Sequence, residues 1–253
     1  MPLNKFVFIT GCNGQLGNSI SQCFKNNNWH VFGLDLTKNN NPYLDGFTEG
    51  SVQNRDSFKK MFNLAINRIS KNVDLCLINN AGISVFTPSE DRTYDEFLKV
   101  SEVNLFGPIL GMTEFYKFQQ NLCKKLFINS NSQILNISSI YGLISPNKAI
   151  YTDTKRSSSE IYGATKAGLI QMTKYFAAIY AEDNLRVNCI APGGILNNEL
   201  QGPEFIKNYS NLVPMKRLCE DKEVSELIFS FVSGKFSYIT GQTIPIDGGM
   251  SSW

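Results

Sequence analysis

The chain has 253 residues, 42% of them hydrophobic and 18% charged, a length and composition that a single α/β core supports and that excludes a largely disordered chain. Its 24 basic and 22 acidic residues are scattered and leave a formal charge of +2, so nothing marks an electrostatic footprint for nucleic acid. No window holds the ~18 apolar residues that cross a bilayer, and the N-terminus does not read as a secretion signal; the expected setting is the cytoplasm and the expected partner is a small molecule.

In chain order, "KFVFIT" (5–10) reads as a strand that ends in the glycine-rich turn "TGCNGQLG" (10–17), and 16–25 as the helix that follows. "HVFGLD" (30–35) is a second strand, 56–70 an amphipathic helix and "DLCLIN" (74–79) a buried strand. A helix over 94–123, open to a break in its middle, precedes the strand 132–138. The helix 160–183, the strand 185–191, a loop-rich segment, a helix near 221–232 and the strand 242–247 complete the series. Strands alternating with helices predict one doubly wound α/β domain over 1–253 with a parallel sheet, whose ligands sit at the carboxyl ends of the strands.

Two classes of site have too few ligands. The six cysteines show no CxxC spacing and read as free thiols, and His30 is the only histidine, so neither a metal site nor a serine–histidine triad is expected.

The turn after the first strand carries Gly11, Gly14 and Gly17. Glycine allows close backbone approach, and the start of the next helix offers free N–H groups and a positive dipole end to a pyrophosphate; a plain tight turn is the alternative. Asp35 ends the second strand, where a carboxylate can accept from a ribose diol and repel a 2′-phosphate, unless it is only a solvated strand-end carboxylate. Cys12, Asn13 and Leu36 supply no compensating cation, which favours NAD over NADP, with Lys38 leaving NADP open.

"NNAGISV" (79–85), "VNLFG" (103–107), "NISS" (136–139), "YGATK" (162–166), "NCIAPGG" (188–194) and "ITGQTIPIDGG" (239–249) follow the glycine-rich turn in order. With that set the chain resembles the short-chain dehydrogenase/reductase family over nearly its whole length. The resemblance implies a Rossmann-type core of about seven parallel strands. It places Ser139, Tyr162 and Lys166 at the reacting carbon, with Asn104 beside them supporting a water-linked proton path. For the cofactor it implies Thr10, Gly11, Asn13, Gly14, Gln15, Leu16, Gly17, Asp35, Ser51, Val52, Asn80, Ala81, Gly82, Pro192, Gly193 and Ile195, together with Tyr162 and Lys166.

Those residue types suit the chemistry. A phenol with a pKa of about 10 works near neutrality only where its anion is stabilised, and a lysine at i+4 lies on the same helical face. The segment holds a second such pair, Tyr151 with Lys155. "YGATKAG" runs directly into an apolar helix, whereas "YTDTKRSSSE" is polar with helix-start signals at its serines, so Tyr162 is the expected general acid/base.

The separation of Ser139 from Tyr162 exceeds the family's usual one, which predicts an inserted loop over about 145–159 at the site mouth, with Lys148, Lys155 and Arg156 against Asp153 and Glu160. Such a loop could hold a phosphate or carboxylate of the substrate, or carry only solvated charges. The insertion is also similar to a subgroup associated with bacterial surface-carbohydrate and flagellin glycosylation. This implies a sugar, sugar-phosphate or nucleotide-sugar substrate; a 3-oxoacyl thioester reductase using NADPH and a non-catalytic nucleotide sensor are the alternatives.

Three positions depart from the family's pattern. Gln15 stands at its usual middle glycine, Asn197 where threonine is common, and Ser51, followed by Val52, where an acidic residue often meets adenine. The segment 196–213 matches the substrate lid, and the resemblance suggests a homodimer or homotetramer packed through the long helices.

Overall fold

The computed structural model describes residues 4–70, 72–126, 130–152, 158–234 and 236–252. Seven parallel strands, β1 (Lys5–Thr10), β2 (His30–Asp35), β3 (Gly46–Glu49), β4 (Val73–Asn79), β5 (Ser130–Ile137), β6 (Leu185–Pro192) and β7 (Thr243–Ile246), form one sheet in the order β3-β2-β1-β4-β5-β6-β7. The order reverses between β1 and β4, so their carboxyl ends part and leave a crevice at that point.

Both faces of the sheet are covered, which is why its strands read as unbroken apolar runs. Alternation along β1 sends Phe6 and Phe8 to one face and Val7 and Ile9 to the other. The first face packs against α2 (Arg55–Asn63), α4 (Gly107–Leu126) and α5 (Glu160–Tyr180), the second against α1 (Gln15–Asn26) and α7 (Asp221–Val232). On the first face Phe8 meets Phe62 edge-on at 5.0 Å, a pair worth ~0.5–1.5 kcal/mol beyond its burial.

Two elements differ from the expectation, and a third, the 94–123 helix, takes the break that its reading left open. The helix predicted over 56–70 ends at Asn63, because buried Ala65 and a short 3₁₀ turn at Ile66–Arg68 turn the chain back toward β4. The 94–123 helix is α3 (Tyr94–Ser101) and α4 joined by a π-helical segment, Glu102–Phe106. The lid contains a regular helix, α6 (Pro203–Leu212), with Pro203 in its first turn, where a missing N–H costs nothing.

A third apolar cluster lies under the lid. Ile140, Ile150, Tyr209, Val213, Leu218 and Met250 form its buried core, with Tyr141, Tyr151 and Phe205 packed on it. Among the described residues no helix is long and apolar enough to cross a membrane.

Candidate active site

The glycine-rich turn follows β1 and is held from two sides. Gly11 has φ +65° and sits against Ala81, and a Cβ on Gly17 would lie 2.0 Å from the Gly11 carbonyl oxygen, so α1 can approach the turn this closely only without a side chain there. Thr10 Oγ1 accepts from the N–H groups of Asn80 and Ala81, both at 3.1 Å, and Asn80 Nδ2 donates to the carbonyls of Thr10 and Gly11 at 3.1 and 3.0 Å. Thr10, Asn80 and Ala81 therefore brace the turn.

A pyrophosphate fits the start of α1. Gly14 caps that helix without a side-chain hydrogen bond, and no acidic residue occupies the first turn, leaving N–H groups and the positive dipole end to an anion. Asp35 closes the other side. Its Oδ2 accepts from Asn13 N at 3.0 Å and its Oδ1 from Thr37 N and Oγ1, each at 3.1 Å. A carboxylate has about four acceptor positions, so a diol can still bond to it. Asn13 Nδ2 is taken up by Thr37 and the Lys38 carbonyl.

Farther along, Ser51 Oγ bonds Gln53 rather than pointing away from its own turn. Val52 packs into the core against Gly107.

At the carboxyl ends of β4, β5 and β6 lies a cleft of about 280 Å³, lined by Leu16, Asn80, Gly82, Ser139, Tyr162, Lys166, Pro192, Gly193 and Ile195, with Ile83, Ser84, Ile137 and Ser138. Sequence reasoning missed Ile83 and Ser84, though they follow "NNAG" directly. Two larger surface depressions, one between α1 and α7 and one between α2 and α4, contain neither Tyr162 nor Lys166.

Tyr162 and Lys166 reach this cleft because Ser159 caps α5, accepting from Tyr162 N at 3.2 Å, and because Ser138 Oγ donates to the Lys166 carbonyl at 2.8 Å. Lys166 Nζ donates to the Ile137 carbonyl at 2.8 Å and lies 5.6 Å from the Tyr162 ring centroid. Burial brings the Lys166 ammonium down to about 8. Burial pushes the Tyr162 phenol up, the hydrogen bond with Ser139 acts in the opposite direction, and the neighbouring Tyr151 adds to the rise. Without a bound cation Tyr162 is thus a neutral phenol, able to give a proton; taking one requires added positive charge beside it.

Asn104 is fully buried in the π-helical segment, a geometry frequent at functional sites. It clasps Ile83, with Oδ1 accepting from Ile83 N and Nδ2 donating to Ile83 O, both at 2.8 Å. Its Oδ1 and the Lys166 Nζ both flank Gly82.

After β6, the N–H of Gly194 donates to the Tyr209 hydroxyl at 2.5 Å, which ties the turn at 193–194 to α6. Only a contact across the fold reveals Tyr209; its sequence setting carries no signal for it. The described part of the inserted segment is docked on α6. Thr152 Oγ1 donates to Glu204 at 3.0 Å and accepts from Asn208 Nδ2 at 2.8 Å. Glu160 pairs with Arg92 at 3.1 Å and Ser89 at 2.9 Å. Lys148 is exposed, and Asp153, Lys155 and Arg156 lie outside the described residues.

A glycine-rich turn at the start of α1 beside a cleft lined by Ser139, Tyr162 and Lys166 is the arrangement of a nicotinamide-dependent oxidoreductase of Rossmann type. A family model described as enoyl-(acyl carrier protein) reductase matches residues 16–251, and the chain belongs to the short-chain dehydrogenase/reductase family. Among curated proteins it is 30% identical to a tropinone reductase homolog of Arabidopsis thaliana, covering 94% of this chain and 84% of that one. It is 26% identical to post-translational flagellin modification protein A of Campylobacter coli (97% and 98% covered), and 29% identical to 3-oxoacyl-[acyl-carrier-protein] reductase FabG of Thermotoga maritima (97% of each). Among solved structures, a short chain dehydrogenase of Leptospira borgpetersenii with bound NAD+ superposes with a TM-score of 0.83 at 34% identity, covering 98% of this chain and 93% of that one. ElxO with NADP bound gives 0.80 at 25% identity, covering 99% and 100%.

Proposed function

We propose that the protein interconverts a secondary alcohol and a ketone on a sugar, sugar-phosphate or nucleotide-sugar derivative destined for a surface glycan, with NAD rather than NADP and with Tyr162 as the general acid/base. The observation that carries the reaction type is that Tyr162, hydrogen-bonded to Ser139, and Lys166 meet in one cleft. When bound, the nicotinamide supplies or accepts the hydride. The uncapped start of α1 would hold its pyrophosphate, Asp35 the adenosine ribose and Lys166 the nicotinamide ribose.

Ser139 Oγ holds the reacting oxygen, and Tyr162 moves the hydroxyl proton. To take that proton during oxidation, Tyr162 would need its phenolate stabilised by the Lys166 ammonium and by the positive charge that an oxidised cofactor would supply. In reduction the neutral phenol gives it. Asp35, with no basic residue at 12, 13 or 36, supports NAD. The segment inserted before α5 and the likeness to a flagellin modification protein support the sugar substrate.

A second reading, reduction of a 3-oxoacyl thioester with NADPH, is favoured by the likeness to FabG and by the family model's description. The test follows the absorbance of the reduced nicotinamide with purified protein, either cofactor in either redox state, and a panel of sugar phosphates, nucleotide sugars and acyl thioesters. NAD-linked turnover of a sugar derivative is expected. Turnover of acyl thioesters alone, with NADPH, would replace the first reading by the second.

A further inference from the structure

The first residue of α1 is tied to the lid. Gln15 Nε2 donates to the Leu196 carbonyl at 2.8 Å, and Gln15 Oε1 accepts from Asn197 Nδ2 at 2.9 Å. One amide thus makes two bonds to adjacent residues of a segment more than 180 positions away in the chain, directly after Ile195, which lines the cleft.

The strap that Gln15 grips is folded by its own contacts. Gln201 Oε1 accepts from Asn197 N at 2.9 Å and Gln201 Nε2 donates to the Ile195 carbonyl at 2.8 Å, while Asn197 Oδ1 accepts from the N–H groups of Glu199 and Leu200, both at 3.1 Å. Leu196 N donates to the Cys219 carbonyl at 2.8 Å on the opposite side. None of these bonds involves Gln15. What Gln15 adds is its attachment to the helix end whose N–H groups are free. Both bonds are solvent-exposed, and exposed hydrogen bonds exchange with water at little net gain, so their weight in global stability is small.

We propose that Gln15 is a positioning residue that latches the 195–201 strap to the glycine-rich turn and so holds a dinucleotide under the strap. It does not touch the reacting atoms. A dinucleotide held by the start of α1 would lie against the helix end that Gln15 joins to the strap, so loss of the two bonds would ease its departure. The inference rests on reading the cleft as a nicotinamide dinucleotide site.

The test uses Gln15→Met, which keeps side-chain length and removes both hydrogen-bonding groups, and Asn197→Asp, which keeps the cap on Glu199 and Leu200 but removes the donor to Gln15. NADH affinity and dissociation rate are read by its fluorescence in equilibrium titration and stopped flow, and backbone amide exchange over 195–201 is read in the cofactor-free protein. Two exposed hydrogen bonds predict NADH release roughly three- to tenfold faster in Gln15→Met, faster amide exchange in the strap and a raised KM for the cofactor. Adding Asn197→Asp to Gln15→Met should then cost less than it does in the wild type, because the bond between them is already lost. Unchanged release and unchanged strap exchange in Gln15→Met would overturn the latch. Failure of the wild type to bind either reduced nicotinamide dinucleotide would overturn the underlying reading instead.

Discussion

The ring of Tyr151 lies 5.7 Å from that of Phe205, at an interplanar angle of 53°, and this contact joins the segment before α5 to the lid helix α6. Tyr151 also raises the pKa of Tyr162 by its proximity, so the same side chain adjoins both the lid and the proposed acid/base. An aromatic pair contributes ~0.5–1.5 kcal/mol. Tyr151→Ala is accordingly expected to raise the KM for the alcohol or ketone about two- to tenfold with cofactor affinity unchanged, whereas Tyr151→Phe keeps the stacking and a nearly normal KM. Steady-state kinetics with each substrate varied separately checks this; equal losses in the two variants would mean that the hydroxyl, not the ring, matters.

Much of this site is legible from local pattern. The glycine turn lies between an apolar strand and a helix, and Tyr162 and Lys166 share a face of an apolar helix that a serine caps, so each is encoded within a few residues. The docking of Thr152 on Glu204 and Asn208 and the grip of Gln15 on Leu196 and Asn197 are different in kind. They join polar side chains to groups distant in sequence, and each such side chain would be an unremarkable surface residue alone. Helix α6 escaped for a related reason: Phe205, Ile206, Tyr209 and Leu212 do follow a helical period, but the run is short, largely polar elsewhere, and finds its partner only in the cluster beneath the lid.

Tyr162→Phe removes the hydroxyl that bonds Ser139 in the cleft it shares with Lys166. Positioned acid/base groups supply about 10²–10⁴-fold in rate, so kcat is expected to fall by about that factor while NADH binds as in the wild type. Turnover and fluorescence titration on the same preparation check both halves. Activity that survives this change but disappears in Tyr151→Phe would transfer the role to the other tyrosine.

Asp35 orders the turn through Asn13 N and would oppose a 2′-phosphate by charge. Asp35→Asn keeps an acceptor for Asn13 N and removes the charge, which separates the two effects. Like charges about 4 Å apart repel by about 1 kcal/mol in water and about 4 kcal/mol near a protein surface. The ratio of NADP to NAD affinity is therefore expected to rise at least about fivefold without loss of fold. Titration with both reduced cofactors checks it, and an unchanged ratio would remove Asp35 from the discrimination.

Lys166 gives a pH test that requires no cofactor. Its ammonium is buried and its pKa lies near 8 in the folded protein against 10.5 for the free side chain. Below about 8 both folded and unfolded chains carry the proton, and the folded state bears the full cost of burying the charge. Between about 8 and 10.5 the unfolded chain binds a proton that the folded one has released, so this group makes stability rise with pH. Lys166→Met lacks that dependence. The melting temperature of the variant minus that of the wild type should fall as pH rises through this window, whatever constant offset arises from losing the hydrogen bond to the Ile137 carbonyl. Thermal unfolding of both cofactor-free proteins across the window checks the slope, and a difference independent of pH would show that Lys166 is not held in the depressed state that its burial implies.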